Sequence, residues 1–129
     1  MQSPIQEVVE MKVVHFEIPA VNPNRAGDFY SKVFGWKISK WDGPMDYWMI
    51  DTGKGKGING GLMKKSGPVK STSNTIEVKS VDRFCSKIAE NGGKCITPKQ
   101  AIPGHGFFAY FRDTEGNISG LMQQDKSAK

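Results

Sequence analysis

A histidine and a glutamate two residues apart, His15 and Glu17, sit in the strand-like run from Val13 to Ile18. Period-two alternation puts both side chains on one face of the strand. A carboxylate beside an imidazole favours the charged histidine, and the pair can move protons as general acid and base. The same two groups can hold a divalent ion only weakly, because structural and catalytic metal sites take about three or four ligands. His105, the second histidine, lies in the turn Pro103-Gly104-His105-Gly106. Its candidate role is at the rim of a ligand pocket, although turn chemistry alone accounts for its neighbours. Cys85 and Cys95 match no metal or redox spacing. They are expected to be reduced, partly buried thiols, in a cytosolic protein.

The elements that must hold these groups follow from local pattern. After the first strand, Asn22-Pro23 is a helix start, with Asn as N-cap and Pro in the first turn. Ala26, Phe29, Tyr30 and Val33 recur at helical spacing and predict one buried face, and Gly35 stops the helix. Strands are expected at Trp36 to Lys40, Tyr47 to Asp51 and Ile58 to Lys64, with a basic loop at Gly53 to Gly57. Ser66 to Ser71, with Gly67-Pro68, reads as a linker. The order then restarts: a strand at Thr72 to Val78, then a helix at Val81 to Ala89 with Val81, Phe84, Cys85 and Ile88 on one face. Strands follow at Lys94 to Thr97, Phe107 to Phe111 and Asn117 to Gln123. The aromatics Tyr47, Trp48, Phe108 and Tyr110 alternate along strands, and sequence does not assign their faces.

Composition sets the outer limits. A chain of 129 residues, 37% hydrophobic and 24% charged, suits one globular domain with a real core. No apolar run approaches the roughly 20 residues of a membrane helix. Met1-Gln2-Ser3-Pro4 has no basic start or apolar stretch, so no secretion signal is expected, and residues 1–10 read as a loose arm or added edge segment. The net charge of +5 would attract anions. No basic stripe alternates with stacking aromatics, so neither nucleic acid nor membrane is an expected partner.

The halves repeat. Asp51-Thr52-Gly53 and Asn59-Gly60-Gly61-Leu62-Met63 return as Asp113-Thr114-Glu115-Gly116 and Ile118-Ser119-Gly120-Leu121-Met122. His15-Phe16-Glu17-Ile18 returns as Thr75-Ile76-Glu77-Val78. Each half reads strand, helix, strand, strand, strand. Neither half can cover its own sheet, so the two are expected to pack together.

With Phe29-Tyr30-Ser31-Lys32-Val33-Phe34-Gly35-Trp36 and Pro103-Gly104-His105-Gly106-Phe107-Phe108-Ala109, these segments resemble the vicinal oxygen chelate superfamily of glyoxalases, bleomycin-resistance proteins and extradiol dioxygenases. The resemblance spans residues 12 to 123. It implies an α+β fold of two paired βαβββ modules, about 12–65 and 72–124, forming a curved, mostly antiparallel sheet around a cavity with helices outside, and a homodimer. The whole chain, 1–129, would be one domain.

The resemblance also implies where a metal would sit: a His on the first strand and a Glu on the last strand of each half. Here His15 takes the first His position and Gly61 the first Glu position. Ser73 or Thr75 takes the second His position, and Gly120 the final Glu position. Three of the four ligands are missing. No cofactor is therefore expected, and a divalent metal is disfavoured. Glycine at positions 61 and 120 either widens a less acidic cavity, faced also by Asn59, Met63, Ile118 and Met122, or relieves strand crowding. The expected ligand contacts are His15, Glu17, Asn59, Gly61, Met63, Ser73, Thr75, His105, Gly120 and Met122, around a small organic molecule. His15 and Glu17 are the candidate catalytic pair. The alternatives are a metal-dependent glyoxalase I-type lyase and a non-catalytic partner-binding module.

Overall fold

The computed structural model describes residues 10–129. The arm expected at residues 1–10 lies outside the described residues, except for Glu10. Two compact units emerge, one running from Val13 to Thr75 and the other from Ile76 to Lys129 together with the described residues up to Lys12. The boundary falls inside a strand rather than in the 66–71 segment.

The first unit holds β1 (Val13–Ala20), α1 (Pro23–Phe34), β2 (Lys37–Lys40), β3 (Tyr47–Asp51) and β4 (Gly60–Lys64), and the Ser73–Thr75 part of β5 (Ser73–Glu77). Its strands run in the order β2-β3-β4-β1. β1 and β4 are parallel, with Glu17 opposite Gly61, and β3 is antiparallel to β4, with Tyr47 opposite Met63. The helix begins as its sequence dictates. The Asn22 side chain accepts from the Arg25 N–H, Pro23 fills the first turn, and Gly35 ends the helix at φ 75°.

The buried face of α1 differs from the expected one. Gly27 is its one fully buried residue, while Phe29 and Val33 are 54% and 56% exposed. A Cβ at Gly27 would meet Ile38 at 3.3 Å and Leu62 at 3.7 Å. The missing side chain lets the helix backbone approach the sheet at that point. The helix is thereby rotated so that Phe29 and Val33 face out. Tyr30 instead stacks on Trp36, with centroids 5.2 Å apart. Leu62 and Ile50, both fully buried, complete this layer. Each contributes about 1.5–3 kcal/mol by leaving water.

The second unit holds α2 (Val81–Glu90), β6 (Lys94–Cys95), β7 (Gln100–Ile102), β8 (Gly106–Arg112) and β9 (Ile118–Gln124). β9, β6 and β7 all pair antiparallel with β8. Val78, Val81, Ala109 and Leu121 form its core, with Phe84, Cys85 and Ile88 of α2 packed against it. That is the helix face expected from the sequence. β7 was not expected; its three residues are too short to show alternation. They are ordered by pairing, from Gln100 opposite Phe108 to Ile102 opposite Gly106.

The cysteines correct the sequence reading. Cys85 and Cys95 form a disulfide, with Cα atoms 5.6 Å apart. It joins α2 to β6. A ten-residue separation shows no motif, but the helix-to-strand turn between them returns the chain to the same place. The argument for a cytosolic setting from free thiols falls with this bond. Among the described residues no helix is long and apolar enough to cross a membrane.

Candidate functional site

Strand alternation in the first unit separates two sheet faces. Ile38, Ile50 and Leu62 face α1. Their neighbours His15, Glu17, Tyr47, Met49, Gly61 and Met63 therefore share the opposite face, as the register of β1, β3 and β4 requires. Three of these make a continuous polar chain. The Tyr47 hydroxyl donates to Glu17 Oε2 at 2.9 Å, and its oxygen lies 2.7 Å from His15 Nε2. The imidazole and phenol planes are only 18° apart. Trp41 meets the Tyr47 ring edge-on at 6.1 Å. Glu17 is 6% exposed.

Gly61 explains why Tyr47 can be there. A Cβ at Gly61 would collide with the Tyr47 hydroxyl and the ring carbons behind it. The room expected to widen a cavity at this position is filled by a phenol. On sequence, a carboxylate beside His15 was expected to favour the charged imidazole. The structure reverses this: burial lowers its pKa from the ordinary 6.5, and the Glu17 charge only partly opposes that shift. Burial therefore favours the neutral imidazole. With the phenol O–H donated to Glu17, the phenol oxygen accepts from His15 Nε2–H, which leaves the lone pair of a neutral ring on Nδ1.

The other expected residues are less concentrated. Asn59 is exposed, just outside β4, and its Oδ1 accepts from the Thr52 N–H at 2.9 Å and the Thr52 hydroxyl at 3.1 Å. That bond ties down the basic loop. Ser73 and Thr75 are 7% and 3% exposed. Gly120 and Met122 lie in the second unit, opposite Tyr110 and Phe108, on the sheet face away from Ala109 and Leu121. His105 is exposed in its turn; its N–H donates to Ile102 O, and its own carbonyl accepts from Asp125 N–H. A groove of about 240 Å³ lies on the helix side of the first sheet, lined by Asn24, Asp28, Ser31, Lys40 and Trp48 among others. None of the expected site residues lines it.

Tyr47 is the member of this polar chain that the sequence reading left unassigned. A signal for it existed in the repeat. Tyr47 opposes Met63 as Phe108 opposes Met122, so at this equivalent position only the first half carries a hydroxyl, although Tyr110 supplies one two residues further along β8. His15 likewise has a threonine, Thr75, and not a second imidazole as its counterpart. The polar chain is thus a property of the first unit. Among the described residues no three His, Cys, Asp or Glu side chains converge as a metal site would require.

The model of the Glyoxalase/Bleomycin resistance protein/Dioxygenase superfamily matches residues 12–119. The chain belongs to this superfamily. A glyoxylase-like domain-containing protein of Didymella fabae is 29% identical over 121 residues, covering 88% of this chain and 94% of that protein. Among solved structures, methylmalonyl-CoA epimerase from Mycobacterium tuberculosis is similar at a TM-score of 0.68 and 12% identity, covering 97% of this chain and 93% of that one. The Streptomyces coelicolor methylmalonyl-CoA epimerase, in complex with 2-nitronate-propionyl-CoA, gives 0.67 and 13%, covering 92% and 98%. At these identities the likeness is one of fold. The α+β class expected from the paired modules stands.

Proposed function

We propose that this superfamily member binds a small organic molecule on the sheet face carrying His15, and moves a proton on it without a metal. The observation that supports this reading is the chain His15–Tyr47–Glu17, with links of 2.7 and 2.9 Å. A neutral histidine with a free lone pair is a base. When it takes a proton, the new imidazolium is held by the phenol, which Glu17 polarises. That arrangement suits removal of a proton from carbon next to a carbonyl, a step general bases speed by about 10²–10⁴-fold. Solved structures of the same fold include methylmalonyl-CoA epimerases.

The donor set supports the metal-free part. A zinc-type site takes about three or four nitrogen, sulfur or carboxylate ligands. Only His15 qualifies among the family's four positions, with Glu17 beside it on the same strand face. Gly61 offers no donor, the Tyr47 ring takes up the space beside it, and the hydroxyls of Ser73 and Thr75 are poor ligands when neutral. We derive no step through a metal. A homodimer belongs to the same reading by family likeness, and light scattering on the eluted protein tests it.

The test is deuterium exchange. Chelator-treated protein in D₂O is mixed with small carbonyl acids first selected by thermal shift, since ligands that bind only the folded state raise its melting point. Exchange at the carbon beside the carbonyl is followed by NMR. The expected result is protein-dependent exchange, slowed at least tenfold in Tyr47→Phe. Absence of both binding and exchange, with hemithioacetal turnover appearing on stoichiometric Ni²⁺ or Zn²⁺, would overturn the proposal.

A further inference from the structure

Ser73 Oγ and Thr75 Oγ1 are buried and have no hydrogen-bond partner among the described residues. Ser73 is 7% and Thr75 3% exposed. Ile76 and Val78 of the same stretch pack with the core around α2. Alternation therefore places Ser73 and Thr75 together on the opposite face of the strand. Two residues along a strand set their Cα atoms about 6.6 Å apart. A buried hydroxyl without a partner is costly, and native folds keep few of them unless something else satisfies them. Two side by side on one face mark a place where polar atoms from outside the chain are accommodated.

Charge indicates which atoms. Residues 13–75 contain nine Lys and Arg against five Asp and Glu, so this unit carries most of the net +5. The His15–Tyr47–Glu17 chain lies in the same unit, and β5 follows β1 in the order of strands. Among the described residues no basic side chain is paired to either hydroxyl, so the pair works as neutral O–H donors within a positive field. Donors of that kind in such a field favour an anionic acceptor.

We infer that Ser73 and Thr75 form the subsite that holds a carboxylate, so that the small molecule taken by this protein is an organic acid with an exchangeable C–H. The identity of the ligand class rests on the function proposed above; the hydroxyl subsite itself does not. Acetoacetate and malonate serve as carboxylate probes, and acetylacetone as a neutral carbon acid. Titration calorimetry on the full chain compares the wild type with Ser73→Ala, Thr75→Val and the double variant. Thr75→Ser is included because it keeps the hydroxyl.

The expected result is at least tenfold weaker binding of acetoacetate and malonate in the double variant, with Thr75→Ser within threefold of wild type. Acetylacetone should bind the wild type at least tenfold more weakly than acetoacetate, and lose no more than threefold in the double variant. The ligand-free double variant should melt at or above the wild-type temperature, because it loses two unsatisfied groups. Should Thr75→Val fail to fold, the Thr75 methyl resonance of the wild type supplies the readout; it should shift on adding acetoacetate and not on adding acetylacetone. Unchanged carboxylate affinity in the double variant, equal affinity for acetylacetone, or no carboxylate binding at all overturns the inference. So does a lower melting point with unchanged affinity, which would assign the hydroxyls to internal water. Deuterium exchange separates the two proposals: hydroxyl-dependent binding without exchange leaves the subsite and removes the proton chemistry, and exchange unaffected by the double variant does the reverse.

Discussion

Replacing Gly61 with alanine adds one methyl group to a small protein, and the geometry makes that change severe. The new Cβ would fall on the Tyr47 hydroxyl and ring. The clashing atoms are the far end of the Tyr47 side chain, so the ring rather than the backbone gives way. Tyr47 must leave. Its departure breaks the bond to Glu17 and the bond to His15. A hydrogen bond to a charged group is worth about 1.5–3 kcal/mol and a neutral one about 0.5–1.5. Forcing bulk into a packed sheet adds about 1–3 kcal/mol. With partial relaxation the cost is about 3–5 kcal/mol, or roughly 11–18 °C in melting temperature for a domain of this size. Denaturant melts give the free energy directly. A double-mutant cycle with Tyr47→Ala isolates the cause, because the methyl has nothing to strike once the ring is gone. The coupling should reach at least about 2 kcal/mol. A Gly61→Ala protein within 1 kcal/mol of wild type, or a cost unchanged in the Tyr47→Ala background, would refute the reasoning.

Tyr47→Phe keeps the packing and removes the two hydrogen bonds; it should cost about 2–4 kcal/mol in a urea melt. His15 has a pKa lowered by burial, so the unfolded chain binds the extra proton first as the solution turns acid. The stability it contributes is complete above about pH 6.5 and is lost as pH falls through its folded pKa. Melting temperatures measured between pH 8 and pH 5 should therefore fall less steeply in His15→Phe than in wild type, and parallel curves would count against a buried neutral imidazole. Cys85→Ser opens a crosslink between residues ten apart and should cost about 2–3 kcal/mol by loop entropy. Titration of two free thiols per native chain would contradict the bond itself.

Much of the fold was legible because its signals are local. Asn22, Pro23 and Gly35 bracket α1 by capping chemistry that depends on few neighbours. β3 is bounded by turn residues and rich in aromatic and branched side chains. The α2 face reads correctly because Val81, Phe84, Cys85 and Ile88 are packed by the sheet their own hydrophobicity demands. α1 misled because the deciding residue was Gly27, which has no side chain to register in a hydrophobic pattern. β7 is invisible alone, as its three residues exist as a strand only through β8.

The site divides along the same line. His15 and Glu17 share a face by alternation within one strand, and that much is sequence. Tyr47 joins them only through register, from a strand about thirty residues away. The space it occupies exists only because Gly61 lies diagonally across. Glycine at that position was readable as a missing ligand, but the group that replaced it was not. The disulfide was hidden for a similar reason: a spacing of ten becomes a contact only once a helix turns back into a strand.

We propose that a phenol takes the place of a metal between His15 and Glu17. Nitrogen-15 NMR of imidazole-labelled protein, titrated from pH 8 to pH 5, tests it most directly. A neutral ring protonated at Nε2 at pH 7, changing its Nε2 signal in Tyr47→Phe, is the result this structure requires. An imidazolium at pH 7, a ring protonated at Nδ1, or an Nε2 signal that moves only when Ni²⁺ or Zn²⁺ is added would contradict it.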